Sequence, residues 1–333
     1  MVKAREIHPI QPESDLSKED WAVRFARQAH LESADQVIKA INLVSKIESD
    51  HQAFDYSGKE PDSFRFALEM TDILSAMRID EDALVASILC QYVQIGRLGL
   101  RDVREEFGKI PAKLIEGVLQ MAAISQTQPD ASKNFLRAAN DQIDAVRRML
   151  VAVIDDVRVA LIKLAERTAA IHAAKAMDRP RQLEVAREVS EIYAPLADRL
   201  GIGHLKWELE DLSFRYLEVD SYKKIADWLA ERREDRERYI GDLVESLNRA
   251  LKIHKIDAEF TWRAKHIYSI WQKMQRKQVD FSKIYDVRAV RILVKSVQDC
   301  YATLGLVHGS FQNIPHEFDD YIATPKPNGY RSL

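Results

Sequence analysis

Glycine and proline are scarce in this chain, 11 and 10 among 333 residues. Sandwiches and barrels need turns at short intervals, so the shortage tilts the expectation toward helices. Cysteine is rarer still: Cys90 and Cys300 stand far apart, in no metal-like spacing. The simple reading is a reducing compartment with both thiols as small core residues. The N-terminal MVKAREIHPIQPESDLSKEDW has no apolar run of the signal-peptide kind. No stretch approaches the roughly 18 uninterrupted apolar residues of a membrane span. The expectation is a cytoplasmic protein without membrane partners. Several chemistries are missing as well. There is no G-x-x-x-x-G-K-[ST], no G-x-S-x-G and no C-x-x-C, and HEFDD is not H-E-x-x-H. LGIGHLK holds a G-x-G without a third glycine or a preceding strand, which gives a dinucleotide fold little support.

What is present is an ordinary globular composition, 46% hydrophobic and 30% charged, at a length that favours two domains. A net charge of −3 argues against a whole-surface nucleic-acid binder but leaves room for a local basic patch. The first two thirds read as helix. DALVASILCQYVQIGRL and IDAVRRMLVAVIDDVRVALIKLAERTAAIHAAKAM carry apolar residues at helical spacing. Ser17 with Asp20 three residues on, and Asp80 before EDALVAS, mark helix starts. Pro180 marks a helix boundary, and the glycine pair of LGIG should end one helix and begin another. Residues 219–256 read as one long charged helix with a solvated face. Then the character changes. DAEFTW and DVRAVRILV are strand-like, AKHIYSIWQKMQRK and DCYATLGLVHGSF helical, and TPKPNGY is a turn. The predicted fold is mostly α, an all-helical domain followed by an α+β unit. The sequence stops at NGYRSL, in what reads as the start of a strand, so a fragment of a longer protein is expected.

Residues 261–294 concentrate cations: Arg263, Lys265, Lys273, Arg276, Lys277 and Lys283. Lys265, Ser269 and Lys273 stand at i, i+4 and i+8, one face of a helix. Two lysines and a hydroxyl in a row suit a polyphosphate, and an arginine at the edge could stack on a base. Asp286 opens the following strand, where a carboxylate suits Mg²⁺ held together with substrate phosphates. A solvated basic helix beside a turn aspartate satisfies the same pattern. In KPNGY, Lys326, Asn328 and Tyr330 offer a cation, an amide and an aromatic face that could hold a purine nucleotide. A hairpin turn with Tyr330 as a cross-strand neighbour fits equally well.

IYAPLADRLGIGHLKWELEDLSFRYL, RAKHIYSIWQKMQ, YDVRAVRILV and FDDYIATPKPNGYRSL together resemble the RelA/SpoT family of (p)ppGpp synthetases. The resemblance implies transfer of the ATP β,γ-pyrophosphate to the ribose 3′-hydroxyl of GDP or GTP. It places Arg263 on adenine, Lys265, Ser269 and Lys273 on the ATP phosphates, and Mg²⁺ on Asp286. Lys326, Asn328 and Tyr330 would cradle the guanine nucleotide. By the same resemblance Asp286 and Lys273 would carry the catalysis. The family's second metal carboxylate, a glutamate, is expected on a strand after Leu333, so the residues given should turn over negligibly by themselves. Glu317, Asp319 and Asp320 form an acidic E-x-D-D where bifunctional members carry R-x-K-D. That variant resembles the monofunctional, RelA-type synthetases, with a lean toward GDP. Carboxylates beside a polyphosphate should demand extra Mg²⁺, unless they only face water. Ribosome and tRNA contacts are implied through a C-terminal half.

The helical region resembles the family's HD-type hydrolase, which builds a Mn²⁺ site from His, His-Asp and Asp. Here Phe66 stands for the upstream histidine, Cys90 and Gln91 for His-Asp, and Gln94 and Ile95 for a Glu-Asp pair. Glu166 replaces the aspartate and Ala170 an asparagine. A ring, a thiol and amides cannot assemble a hard-metal site, so no Mn²⁺ and no hydrolase activity are expected. His172 lies near that site in sequence and is not counted among its ligands. The implied organisation is an arm at 1–19, a pseudo-hydrolase at 20–180, a connecting helix at 181–200 and a synthetase domain at 201–333. Two other classes stay in view: a guanine-nucleotide-sensing module without catalysis, and an RNA-binding patch around 263–277.

Overall fold

A computed structural model describes residues 17–52, 63–126, 156–231, 233–281, 284, 288–312, 318–327, 329 and 331–333, with the backbone alone at 50–52, 123–126, 230–238, 262–264 and 288–289. The chain divides into two compact units between Glu218 and Val219.

The first unit is helical throughout its described residues: α1 (Lys18–Ala29), α2 (Asp35–Gln52), α3 (Ser63–Ser75), α4 (Glu81–Gln94), α5 (Leu100–Phe107), α6 (Lys109–Gln126), α7 (Val157–Ala173), α8 (Arg179–Glu188), a π turn (Val189–Tyr193), α9 (Ala194–Arg199) and α10 (Gly203–Leu217). The capping signals act as read. Ser17 Oγ accepts from Asp20 N at 3.1 Å while the Asp20 carboxylate accepts from Ser17 N, also at 3.1 Å. Asp80 Oδ1 accepts from Ala83 N at 3.0 Å. Every residue from Ala83 to Cys90 is buried. A helix that is apolar all round belongs at the centre, and α4 packs against α2, α3, α5, α6 and α7. Helices α6 and α7 approach closely because Gly117 has no side chain; a Cβ there would sit 2.9 Å from Val159 Cγ2.

The segment Arg179–Arg199 is one helical run with a π turn just ahead of Pro195. Proline lacks an N–H and its ring crowds the carbonyl four residues back; widening the preceding turn relieves both. Gly201, at φ +73°, ends α9, and Gly203 begins α10. Helix α10 packs on α7, α8 and α9, so contacts place it in the first unit although a boundary near residue 200 was expected.

The second unit comprises α11 (Val219–Glu231), α12 (Arg233–Ile253), β1 (Ala258–Ala264), α13 (Ile267–Lys277), β2 (Arg288–Val294) and α14 (Val297–Ser310). The stretch expected as one helix is thus helical on either side of residue 232, which lies outside the described residues. β1 and β2 pair antiparallel, Ala258 opposite Val294 through Ala264 opposite Arg288. Glu259, Arg291 and Leu293 share the exposed face, while Phe260 and Ile292 lie half-buried on the other. A small core of Ile225, Ile270, Phe281 and Ile284 joins α11 to α13. Among the described residues no helix is long and apolar enough to cross a membrane.

Candidate functional site

In the second unit α13 is seated by its apolar stripe. Ile270 is fully buried, and Ile267, Trp271 and Met274 pack against the same small core. These positions follow the i, i+3, i+4, i+7 rule, so Ser269, Lys273 and Arg276 fall on the opposite side. Lys265 is not on the helix. The helix begins at Ile267 with His266, in extended backbone, as its N-cap, and Lys265 lies in the two-residue link between β1 and α13. The expected i, i+4, i+8 row is therefore corrected. Only Ser269 and Lys273 ride α13, and Lys265 stands at its N-terminal mouth. The His266 side chain makes no cap hydrogen bond there. First-turn N–H groups, the positive end of the helix dipole, Lys265 and Ser269 thus gather at one end of α13.

Arg263 lies on β1 with its Cα opposite Ala289, its side chain outside the described residues. Asp286, Glu317, Asn328 and Tyr330 also lie outside them. The neighbours of the last two are described. Gly329, at φ +79°, donates from N to Lys326 O at 2.8 Å, closing a tight turn. Lys326 Nζ sits 4.2 Å above the Tyr321 ring centroid, and Tyr321 N donates to Ser332 O at 2.9 Å.

The two described acids of the E-x-D-D segment are engaged by protein groups. Asp320 Oδ1 accepts from Ala323 N at 2.8 Å and Ile322 N at 2.9 Å. Tyr301 of α14 donates to Asp320 Oδ2 at 3.1 Å. The Ala323 amide is the largest influence holding the Asp320 carboxyl below the usual range, and Ile322 and Tyr301 add to it. Hydrogen bonding to Asp319 raises the Tyr321 phenol. The sequence reading missed the Tyr301 contact, for which the only local signal was an aspartate opening the turn.

In the first unit two of the positions equated with a hydrolase site, Cys90 and Glu166, lie near one another, with other chemistry. Cys90 on α4 is 1% exposed; burial first, then the nearby Glu166 charge, push its thiol up to about 12, so it stays protonated. Both Glu166 oxygens are taken, Oε2 by Lys163 Nζ at 2.7 Å and Oε1 by Arg167 at 2.8 Å. Arg167 reaches on to Glu188 at 2.9 Å, and burial lowers the fully buried Lys163 ammonium while Glu166 opposes the shift. Phe66 and Ala170 pack against the core, Gln91 is half-buried, and Gln94 and Ile95 are exposed at the end of α4. These donors do not fit a hard metal such as Mn²⁺: a protonated thiol, amides and one carboxylate already ion-paired.

A triad that sequence did not reveal lies close by. His172 Nδ1 is 2.5 Å from Glu69 Oε1 of α3, and its Nε2 is 2.8 Å from Glu208 Oε1 of α10. A ring held between two carboxylates is an imidazolium donating from both nitrogens. Burial alone would depress it. Hydrogen bonds and charge from Glu208 and Glu69 outweigh burial and raise it to about 9.

Comparison with known proteins agrees with both units. Residues 40–203 match a family profile described as HD domain, and residues 262–333 one described as Region found in RelA / SpoT proteins. A GTP pyrophosphokinase of Haemophilus influenzae is 43% identical over 342 aligned residues, covering 100% of this chain and 44% of the relative. The enzyme of that name from Escherichia coli K12 is 48% identical over 266 residues, 80% of this chain and 35% of the relative. One from Streptomyces coelicolor is 40% identical over the same share of this chain and 30% of its own length. The chain therefore spans less than half the length of the curated relatives it matches. With an HD domain followed by a RelA/SpoT region, and relatives of that kind along its whole length, the chain belongs to the RelA/SpoT family.

Proposed function

We propose that this protein takes part in (p)ppGpp synthesis, transferring the β,γ-pyrophosphoryl group of ATP to the 3′-hydroxyl of GDP or GTP. The observation that carries the reading is the seating of α13. Its apolar stripe is fixed in the core, so Ser269 and Lys273 fall on the opposite side, with Lys265 just ahead of the helix N-terminus. Compact ammonium charges, a hydroxyl and the positive end of a helix dipole suit a polyphosphate. The name shared by the relatives, GTP pyrophosphokinase, supports the same chemistry.

In the transfer the 3′-oxygen forms a bond to the β-phosphorus of ATP, and the bond from that phosphorus to the α,β-bridging oxygen breaks. AMP leaves, and the hydroxyl proton passes to solvent. Little covalent work falls to the protein, so positioning and charge neutralisation dominate. Lys265 and Lys273 neutralise the phosphates, Ser269 donates to them, and Arg263 packs on adenine. Lys326, Asn328 and Tyr330 hold the guanine nucleotide, Tyr330 by stacking. Asp286 offers a hard oxygen of the type Mg²⁺ prefers; with the phosphates it would hold an ion that neutralises charge gathering at the transferred group. Turnover is proposed with a second carboxylate sharing the metal, as the resemblance implies. The acidic segment aligns the protein with synthetases that lean toward GDP, and the first unit serves as a pseudo-hydrolase without hydrolytic activity. Ribosome and tRNA contacts are proposed to lie outside these residues.

Binding tests the reading. Lys273→Met should weaken ATP–Mg²⁺ by roughly tenfold or more, since a charged contact to phosphate is lost, with GDP affinity unchanged. Unaltered ATP binding would remove Lys273 from the site. Steep salt dependence with indifference to Mg²⁺ would move the reading to RNA.

A further inference from the structure

The geometry points to Tyr301 as a positioning residue for guanine-nucleotide binding: through Asp320 it braces the turn that carries Lys326, Asn328 and Tyr330 against α14. The inference rests on the guanine-nucleotide reading of that turn.

Asp320 is, in the sequence, one of three acids of E-x-D-D that could serve a metal. In the structure its carboxylate is committed to protein donors. Oδ1 takes the amides of Ile322 and Ala323 at 2.9 and 2.8 Å, which starts the turn at Tyr321–Ala323, and Oδ2 takes the Tyr301 hydroxyl at 3.1 Å. Thr324 N donates back to Asp320 O at 3.2 Å. An aspartate bonding amides two and three residues on fixes local backbone and nothing more. The Tyr301 bond differs because it crosses 19 residues and ties the turn to a helix that packs on β2. α14 is itself well started: Ser296 Oγ accepts from Asp299 N at 3.1 Å.

The brace then passes along the segment. Tyr321, next to Asp320, is hydrogen-bonded to Asp319, carries Lys326 over its ring at 4.2 Å, and pairs by its backbone with Ser332 at 2.9 Å. The last bond brings the two ends of the segment together, with the nucleotide residues between them. Gly329 N to Lys326 O at 2.8 Å closes the tip. Asp320 thus spends its oxygens on shaping this segment, and Tyr301, beside the edge-to-face contact of His308 with Phe318, links the segment to α14. A segment held this way brings Lys326 to the nucleotide already placed. Loss of the link costs affinity at that nucleotide and leaves the ATP residues on α13 untouched.

The test compares wild type, Tyr301→Phe and Asp320→Asn for GDP and ATP–Mg²⁺ affinity, and in an active longer chain for KM and kcat. Tyr301→Phe deletes one oxygen and keeps the ring. It should weaken GDP roughly three- to tenfold and raise the KM for GDP, with ATP affinity and kcat at saturation unchanged. Asp320→Asn retains an oxygen for the two amides and should match wild type more nearly, with no shift in Mg²⁺ requirement. Equal weakening of both nucleotides by Tyr301→Phe, no weakening of GDP, or a raised Mg²⁺ requirement in Asp320→Asn would each overturn the inference. Amide exchange over 321–332 in nucleotide-free protein separates this failure from failure of the functional reading. Faster exchange in Tyr301→Phe supports the brace, and unchanged exchange refutes it whatever the chain binds.

Discussion

Protonation of His172 should stabilise the helical unit, and by an amount that pH removes. The ring links three helices, with Glu69 on α3 and Glu208 on α10 each accepting one of its N–H groups, and all three side chains are 13% exposed or less. Its folded value of about 9 stands against an ordinary 6.5 in the unfolded chain. The native state therefore holds a proton that the unfolded state has lost between those two values. The contribution is complete below about pH 6.5, falls as pH rises, and is gone above about pH 9. At about 1.4 kcal/mol per unit it amounts to about 3 kcal/mol, a large share of a typical domain's stability. His172→Gln removes the titration and keeps a polar side chain of similar size. Urea unfolding followed by helical circular dichroism should find the variant less stable by about 3 kcal/mol near pH 6. The two proteins should converge near pH 9.5, where wild-type His172 is itself neutral. A gap of equal size at both pH values would refute the two-carboxylate clamp.

Two other predictions follow from burial. Ile270→Ala opens a hole under α13, where the side chain is fully buried, and should cost about 2–4 kcal/mol in the second unit's unfolding. Weaker ATP binding should accompany it because the basic face loses its seat; a loss under about 1 kcal/mol would show that the small core does not hold the helix. Cys90, buried and with its thiol raised to about 12, should resist thiol reagents in the native protein while half-buried Cys300 reacts. Labelling of both at one rate would place Cys90 elsewhere than between α4 and α7.

Local signals were the legible ones. The Ser17 and Asp80 caps, the LGIG helix junction and the order of strand, helix, strand and helix after residue 256 all depend on neighbours within a few residues. Helical spacing extrapolated one turn too far at Lys265, because β1 runs to Ala264 and leaves no room for a helix before Ile267. Cys90 and Glu166 were matched by resemblance, and folding does bring them near each other, yet the pairing of Glu166 with Lys163 and Arg167 needed coordinates. The His172 clamp was out of reach for the same reason. Its partners lie 103 and 36 residues away, and nothing local to KLAERTAAIHA says that two carboxylates will face it.

The most direct test of pyrophosphoryl transfer is to incubate ATP labelled at the β- and γ-phosphorus with GDP or GTP and Mg²⁺. This chain should be run beside one continued by about 60 residues, enough to complete a sheet of ordinary size. A synthetase should pass both labels together to the guanine nucleotide in the longer chain and release AMP, with Lys273→Met abolishing the product. No labelled tetra- or pentaphosphate from the longer chain, with ATP and GDP bound, would contradict catalysis and leave a nucleotide-sensing module.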